Sequence, residues 1–185
     1  MTFDSFTFLC FLSLAFMFYW MAKDKGCRLQ NVVIIAFSYV FYGWFDWRFC
    51  LLLIASQTTT FFCGRMIGLT GKRKWVALGV AVQLIALCFF KYYNFFAESL
   101  NVVFNEMGMR IDLPTLRLIL PIGVSFYSFM AISYLLDVYR GELKSISSLS
   151  VYLAYSSFFP QLLAGPIGRA PQLVPQFSVV RNFDY

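Results

Sequence analysis

The sequence predicts an all-α polytopic membrane protein: about five transmembrane helices, then a segment broken by proline and glycine, with the N-terminus outside. Three observations predict it. Of 185 residues, 60% are hydrophobic, 21% aromatic and only 13% charged, with a mean hydropathy of +0.70. A soluble domain of this length needs far more polar surface. Apolar runs alternate with short basic clusters, which is the pattern of spans and their loops. Finally, residues 158–177 gather four of the six prolines, two glycines and a lone arginine. Irregular backbone facing lipid leaves amides unsatisfied, so such a stretch packs inside protein or lines a wet cavity.

A helix needs about 20 apolar residues to cross the hydrocarbon layer of roughly 30 Å. Residues 3–22 meet that length and end at Lys23, Asp24, Lys25 and Arg28. No basic stretch precedes this run and no small-residue cleavage site follows it, so it is expected to stay in the protein as a helix. A second run, 29–44, ends in an aromatic belt of Tyr39, Phe41, Tyr42, Trp44 and Trp47 around Asp46 and Arg48. The third, 49–64, is shorter and carries Ser56, Gln57 and three threonines. It either enters the membrane incompletely or packs its polar face on another helix. The fourth, 75–90, follows Arg65, Lys72, Arg73 and Lys74 and leads into an amphipathic stretch at 91–96. Residues 97–113 read as a polar connector. The fifth run, 116–136, closes with Asp137, Arg140, Glu142 and Lys144. The sixth starts near Leu149 and meets Pro160 after about a dozen residues, a length that suits a re-entrant or broken helix. Residues 1–185 are thus expected to form part of a single membrane domain, with residues 149–177 as its broken segment.

Loop charges orient the runs. The first loop holds three basic residues against one acid, and the third holds four against none. The positive-inside rule makes both cytoplasmic, which places the chain as a multi-pass protein of a cytoplasmic membrane. The net charge of +6 falls in these clusters and forms no basic face, so the bilayer is the expected partner and nucleic acid is not. Cys10, Cys27, Cys50, Cys63 and Cys88 are scattered, none forms a Cys-x-x-Cys pair, and the chain has no histidine. No metal site and no disulfide framework are expected.

Within the fifth run, Pro121 is read as lying one turn into the helix, where it removes a backbone hydrogen bond. Ser125 and Ser128 share a face with it, and serve either close helix packing or a polar route into the protein. Asp137 and Arg140, three apart, are expected to pair at the helix end. Gln161 and Arg169 lie inside the broken segment. Arg169 either holds a phosphate or carboxylate, or anchors the segment at the interface.

The stretch Pro160-Gln161-Leu162-Leu163-Ala164-Gly165-Pro166-Ile167-Gly168-Arg169 resembles a signature of the membrane-bound O-acyltransferases, in their alginate O-acetylation branch. Leu120–Tyr127, which includes Pro121, Gly123 and Ser125, and Tyr134–Gly141, which includes Asp137 and Arg140, are similar to a characteristic helix of that family. Residues 90–96 resemble its aromatic connector and 42–49 its early loop. The stretches occur in family order across most of the chain. Thr60 stands where relatives often have aspartate, and Gly168 where they often have an aliphatic residue.

The resemblance implies a partial fold of many helices around a thin centre, where a cytoplasmic acyl thioester donor and an extracytoplasmic polysaccharide hydroxyl meet. It makes Pro160, Gln161, Gly165, Pro166 and Arg169 a possible donor-side wall, and implies no bound cofactor. The missing remainder of the enzyme, other polysaccharide-acetylation proteins and an acyl carrier are the implied partners. A sugar hydroxyl attacking a thioester needs a general base, usually histidine. The family's catalytic histidine has no counterpart among these 185 residues. The chain is therefore expected to be the N-terminal portion of such an enzyme and inactive by itself. The alternative is a non-catalytic membrane scaffold or transporter subunit.

Overall fold

Polar side chains lie inside this molecule and large apolar ones outside. Gln30, Asn31 and Thr60 are fully buried, while Phe6 is 79% exposed and Ile85 68%. Water would expel such a surface and lipid accepts it, so the distribution is that of an all-α membrane protein. The computed structural model describes residues 5–108, 121, 123–164 and 168–181, apart from the side chains of residues 163 and 164.

Helix α1 covers Phe6–Met21, capped by Ser5, whose Oγ accepts a hydrogen bond from the Phe8 amide at 3.2 Å. A 3-10 turn at Lys23–Lys25 leads into α2, Cys27–Gly43. Helix α3, Trp47–Thr70, starts where Asp46 Oδ1 accepts from the Arg48 amide at 2.8 Å. At 24 residues it is about 36 Å long, enough to cross, and not the short segment that its threonines suggest. Helix α4 runs unbroken over Arg73–Glu106, 34 residues and about 51 Å. The expected stop near residue 90 and the connector from residue 97 are therefore corrected as far as Glu106. Polarity at Lys91 and Asn94 does not end a helix, and neither glycine nor proline occurs between Gly79 and Gly108.

Helix α5 is Val124–Tyr139. Pro121 precedes it, and its carbonyl accepts from the Val124 amide at 3.1 Å. The proline thus sits in the turn before the helix and breaks no helical bond, contrary to the sequence expectation. Residues 116–120 of the fifth run lie outside the described residues, as does the connector from residue 109 on. The last part is broken into α6 (Leu149–Ser157), α7 (Phe159–Ala164) and α8 (Ala170–Ser178). None of the three reaches the length of a crossing. Pro160 occupies the first turn of α7, where its missing N–H costs nothing, but Pro175 falls inside α8. No strand occurs among the described residues.

Helices α3, α4 and α5 pack on one another, α2 packs on α6, α1 lies against α2, and α8 reaches both α5 and α6. Tyr134, Leu135, Tyr152 and Tyr155 form the middle of the largest core cluster. In lipid the hydrophobic effect does not drive helices together, so close backbone approach and interhelical hydrogen bonds do. The polar face of α3 supplies the second. Ser56 Oγ donates to Gln83 Oε1 at 2.9 Å, and Gln83 Nε2 donates to Thr60 Oγ1 at 2.9 Å and the Ser56 carbonyl at 3.3 Å. On its other side Tyr39 donates to Gln57 Oε1 at 2.5 Å, tying α2 to α3. Gln83→Leu should lower stability by about 1–2 kcal/mol, since several membrane hydrogen bonds of modest strength go together. Thermal unfolding in detergent checks this, with the exposed Thr58→Leu expected to be near neutral.

Candidate functional site

The broken segment is held at both ends of α5. At the N-terminal end, Gly123 has φ +76° and lies so close to α7 that a Cβ there would sit 2.8 Å from the Leu162 carbonyl oxygen. Both constraints select glycine. At the C-terminal end, Arg169 Nη2 donates to Asp137 Oδ1 and to Glu142 Oε2, each at 2.8 Å. Asp137 is 2% exposed and Arg169 52% exposed, so the arginine carries its charge at the edge of the core. The expected Asp137–Arg140 pair does not form. Arg140 is the exposed C-cap of α5, and the chain turns at Gly141 with φ +76°. The carboxylate instead faces the residue that follows the break.

Buried polar atoms occur along α5 and beside it. Asp137 Oδ2, the Tyr155 hydroxyl and Ser128 Oγ are buried with no hydrogen-bond partner among the described residues. Ser128 is fully buried and Ser125 partly so, which favours packing for the pair. A cavity of about 10 Å³ lies between Gln57, Tyr127, Tyr152, Tyr155 and Ser156. That is about the room one water needs, so no open polar route passes here. The Tyr134 hydroxyl accepts from the Ile146 amide at 3.3 Å and ties the loop after α5 back to the core.

Of the motif residues, Gln161 is buried with its amide donating to the Phe158 carbonyl at 3.0 Å. Its Nε2 lies 2.8 Å from where a Gly168 Cβ would sit, and Leu173 closes the other side. A side chain at 168 would have to displace the ends of the Leu173 and Gln161 side chains. Pro160 is exposed and borders an apolar groove between α1, α2 and α8. Gly165 and Pro166 lie outside the described residues. Sequence reasoning paired Glu142 with nothing and passed over Gln30 and Asn31. Gln30 Nε2 donates to the Arg181 carbonyl at 3.1 Å, and Asn31 Nδ2 to the Phe177 carbonyl at 2.9 Å. Two amides opening an apolar run were the available signal.

The arrangement can hold a segment in place, and among the described residues none of the acids weighed as a base is poised for that role. Glu98 and Glu106 are exposed on α4, and Asp137 is engaged by Arg169.

Comparison with known proteins gives the same pattern over most of the chain. It is 42% identical over 161 residues to a probable alginate O-acetylase, AlgI, of Pseudomonas aeruginosa, covering 83% of this chain and 30% of that protein. It is 39% identical over 184 residues to the probable alginate O-acetylase of Azotobacter vinelandii, covering 96% and 36%. A peptidoglycan O-acetyltransferase of Helicobacter pylori is 30% identical over 202 residues, with 93% and 37% covered. The chain thus spans about a third of the length of the curated relatives it matches. No family model and no solved structure matches it.

Proposed function

We propose that this chain, which belongs to the membrane-bound O-acyltransferase family, is the helical scaffold of an enzyme that moves an acetyl group onto a polysaccharide hydroxyl. The carrying observation is the 39% identity to an alginate O-acetylase over 184 residues, nearly the whole chain. The relatives named above act on alginate and on peptidoglycan, which share sugar hydroxyls, so the acceptor class is an extracytoplasmic glycan.

In this reading the chain is a multi-pass protein of a bacterial cytoplasmic membrane with its N-terminus outside, the orientation that its loop charges favour. A thioester on the cytoplasmic side supplies the acetyl group. The glycan oxygen attacks the carbonyl carbon, the carbon–sulfur bond breaks, and the thiol leaves as the hydroxyl proton passes to a base. That base is a histidine in the portion of the relatives that this chain does not span. The residues here position helices: Arg169 and Asp137 fix the broken segment on α5, and Gly123 seats its first half. Pro160 and Gln161 form part of the wall facing the donor.

A chimera tests this reading. The matched portion of the Azotobacter relative is replaced by this chain, and acetylation of alginate is measured in cells lacking the native enzyme. Acetylation at a level within about tenfold of the relative's is expected. A stable, membrane-inserted chimera without detectable transfer would contradict the reading.

A further inference from the structure

The groove bordered by Pro160 has a volume of about 340 Å³, within the range of built ligand sites. Leu12 and Phe16 of α1, Phe37 of α2, and Phe159 and Phe177 line it, and Arg181 closes one end. Arg181 is the charged residue of this mostly apolar lining. Its guanidinium sits 5.4 Å from the ring centres of both Tyr19 and Phe177, and its Nη2 donates to Asn31 Oδ1 at 2.7 Å. Nε and Nη1 are covered and have no partner, and no acid pairs with Arg181 among the described residues. A half-buried arginine between membrane helices is usually paired, and one that meets no acid among the described residues marks a place for an anion.

The position of that charge selects the kind of anion. Tyr19 and Cys27, near Arg181, flank the turn at Lys23–Lys25, so the arginine lies at the end of α1 and α2 where Lys23, Lys25 and Arg28 cluster. From there the groove runs along α1 past Phe16 to Leu12, about 10 Å deeper. An apolar channel leading away from an interfacial cation matches a molecule with one acidic head and an aliphatic tail. Basic pockets between membrane helices bind acidic lipid head groups in this way.

We propose that this groove binds an anionic phospholipid, with one acyl chain between α1, α2 and α8 and its phosphate against Arg181. This site shares only Pro160 with the acyl-transfer reading above and does not rest on that reading. The lipid bridges α1 and α8, which both line the groove, and its phosphate is a counter-charge for Arg181, which pairs with no acid among the described residues.

The chain is reconstituted into vesicles of equal parts phosphatidylglycerol and phosphatidylcholine, re-extracted in mild detergent, and its retained lipids are measured by native mass spectrometry. Phosphatidylglycerol should be retained over phosphatidylcholine by about tenfold, because both carry a phosphate but the choline cation of phosphatidylcholine is repelled by Arg181 and the nearby basic residues. Arg181→Gln should reduce that preference to about twofold or less. Ala15→Leu, which fills the groove wall without touching the charge, should reduce retention of both lipids. It keeps the test valid if Arg181→Gln does not fold. Equal retention of the two lipids by the unaltered chain would overturn the proposal. So would retention insensitive to Ala15→Leu, or a Leu12→Cys variant that cross-links to a second copy across the groove.

Discussion

Replacing Arg169 with alanine should destabilise the protein by about 2–3 kcal/mol, whereas Asp137→Asn should cost only about 1 kcal/mol. The asymmetry follows from where each charge sits. Asp137 is almost fully buried, and its Oδ2 already has no partner among the described residues. Removing Arg169 leaves that carboxylate with no donor among the described residues, a buried charge without compensation. Removing the charge of Asp137 leaves Arg169 half in solvent and still bonded to Glu142 at 2.8 Å, so little is stranded. The double variant Arg169→Ala/Asp137→Asn should then resemble Asp137→Asn alone, a coupling of about 2–3 kcal/mol. Thermal unfolding of the four proteins in one detergent reads this directly. Equal costs for the two single variants would show that the clamp is only a surface contact.

Gly64→Leu should be at least as damaging, about 3 kcal/mol or more. Gly64 is on α3 where it crosses α5, and a Cβ there would lie 2.5 Å from Tyr134 Cε1 and 2.7 Å from its hydroxyl. Tyr134 cannot yield easily. It is fully buried, stacks on Tyr152 with ring centres 5.2 Å apart, and accepts a hydrogen bond from the Ile146 amide. A side chain at 64 therefore pushes α3 off α5 or breaks the tie to the loop that carries Glu142. Gly64→Ala should already cost about 1–3 kcal/mol. Combining it with Tyr134→Leu should recover part of that loss, because the smaller residue frees the space. Melting midpoints give the comparison, and additive effects of the two changes would refute the steric account.

Helix positions were largely legible because run length is a property of the chain read in one dimension. Residues 3–22 and 29–44 lie within a few residues of α1 and α2. The end of α4 was missed because a drop in hydropathy at Lys91 was read as a stop, although the backbone there contains no breaker. The break after Ser157 was visible in its prolines. What the break packs against was not. Spacing rules pair neighbours on one helix, so Asp137 was matched to Arg140, while its partner lies 32 positions away. The same holds for Gln83 with Ser56 and Thr60, and for Arg181 with Asn31. In each case the readable clue was a polar side chain inside an apolar run, which states a need for a partner without naming it.

Histidine is absent from all 185 residues, and among the described residues Glu98 and Glu106 are exposed and Asp137 is engaged by Arg169; the proposed reading therefore takes its base from the portion of the relatives that this chain does not span. The direct measurement is acetyl transfer from an acetyl thioester to alginate oligosaccharides in lipid nanodiscs. One sample holds the purified chain, and the other holds the chain with the complementary portion of the Azotobacter relative. Transfer only in the second sample is predicted; turnover by the 185-residue chain unaided would contradict the account.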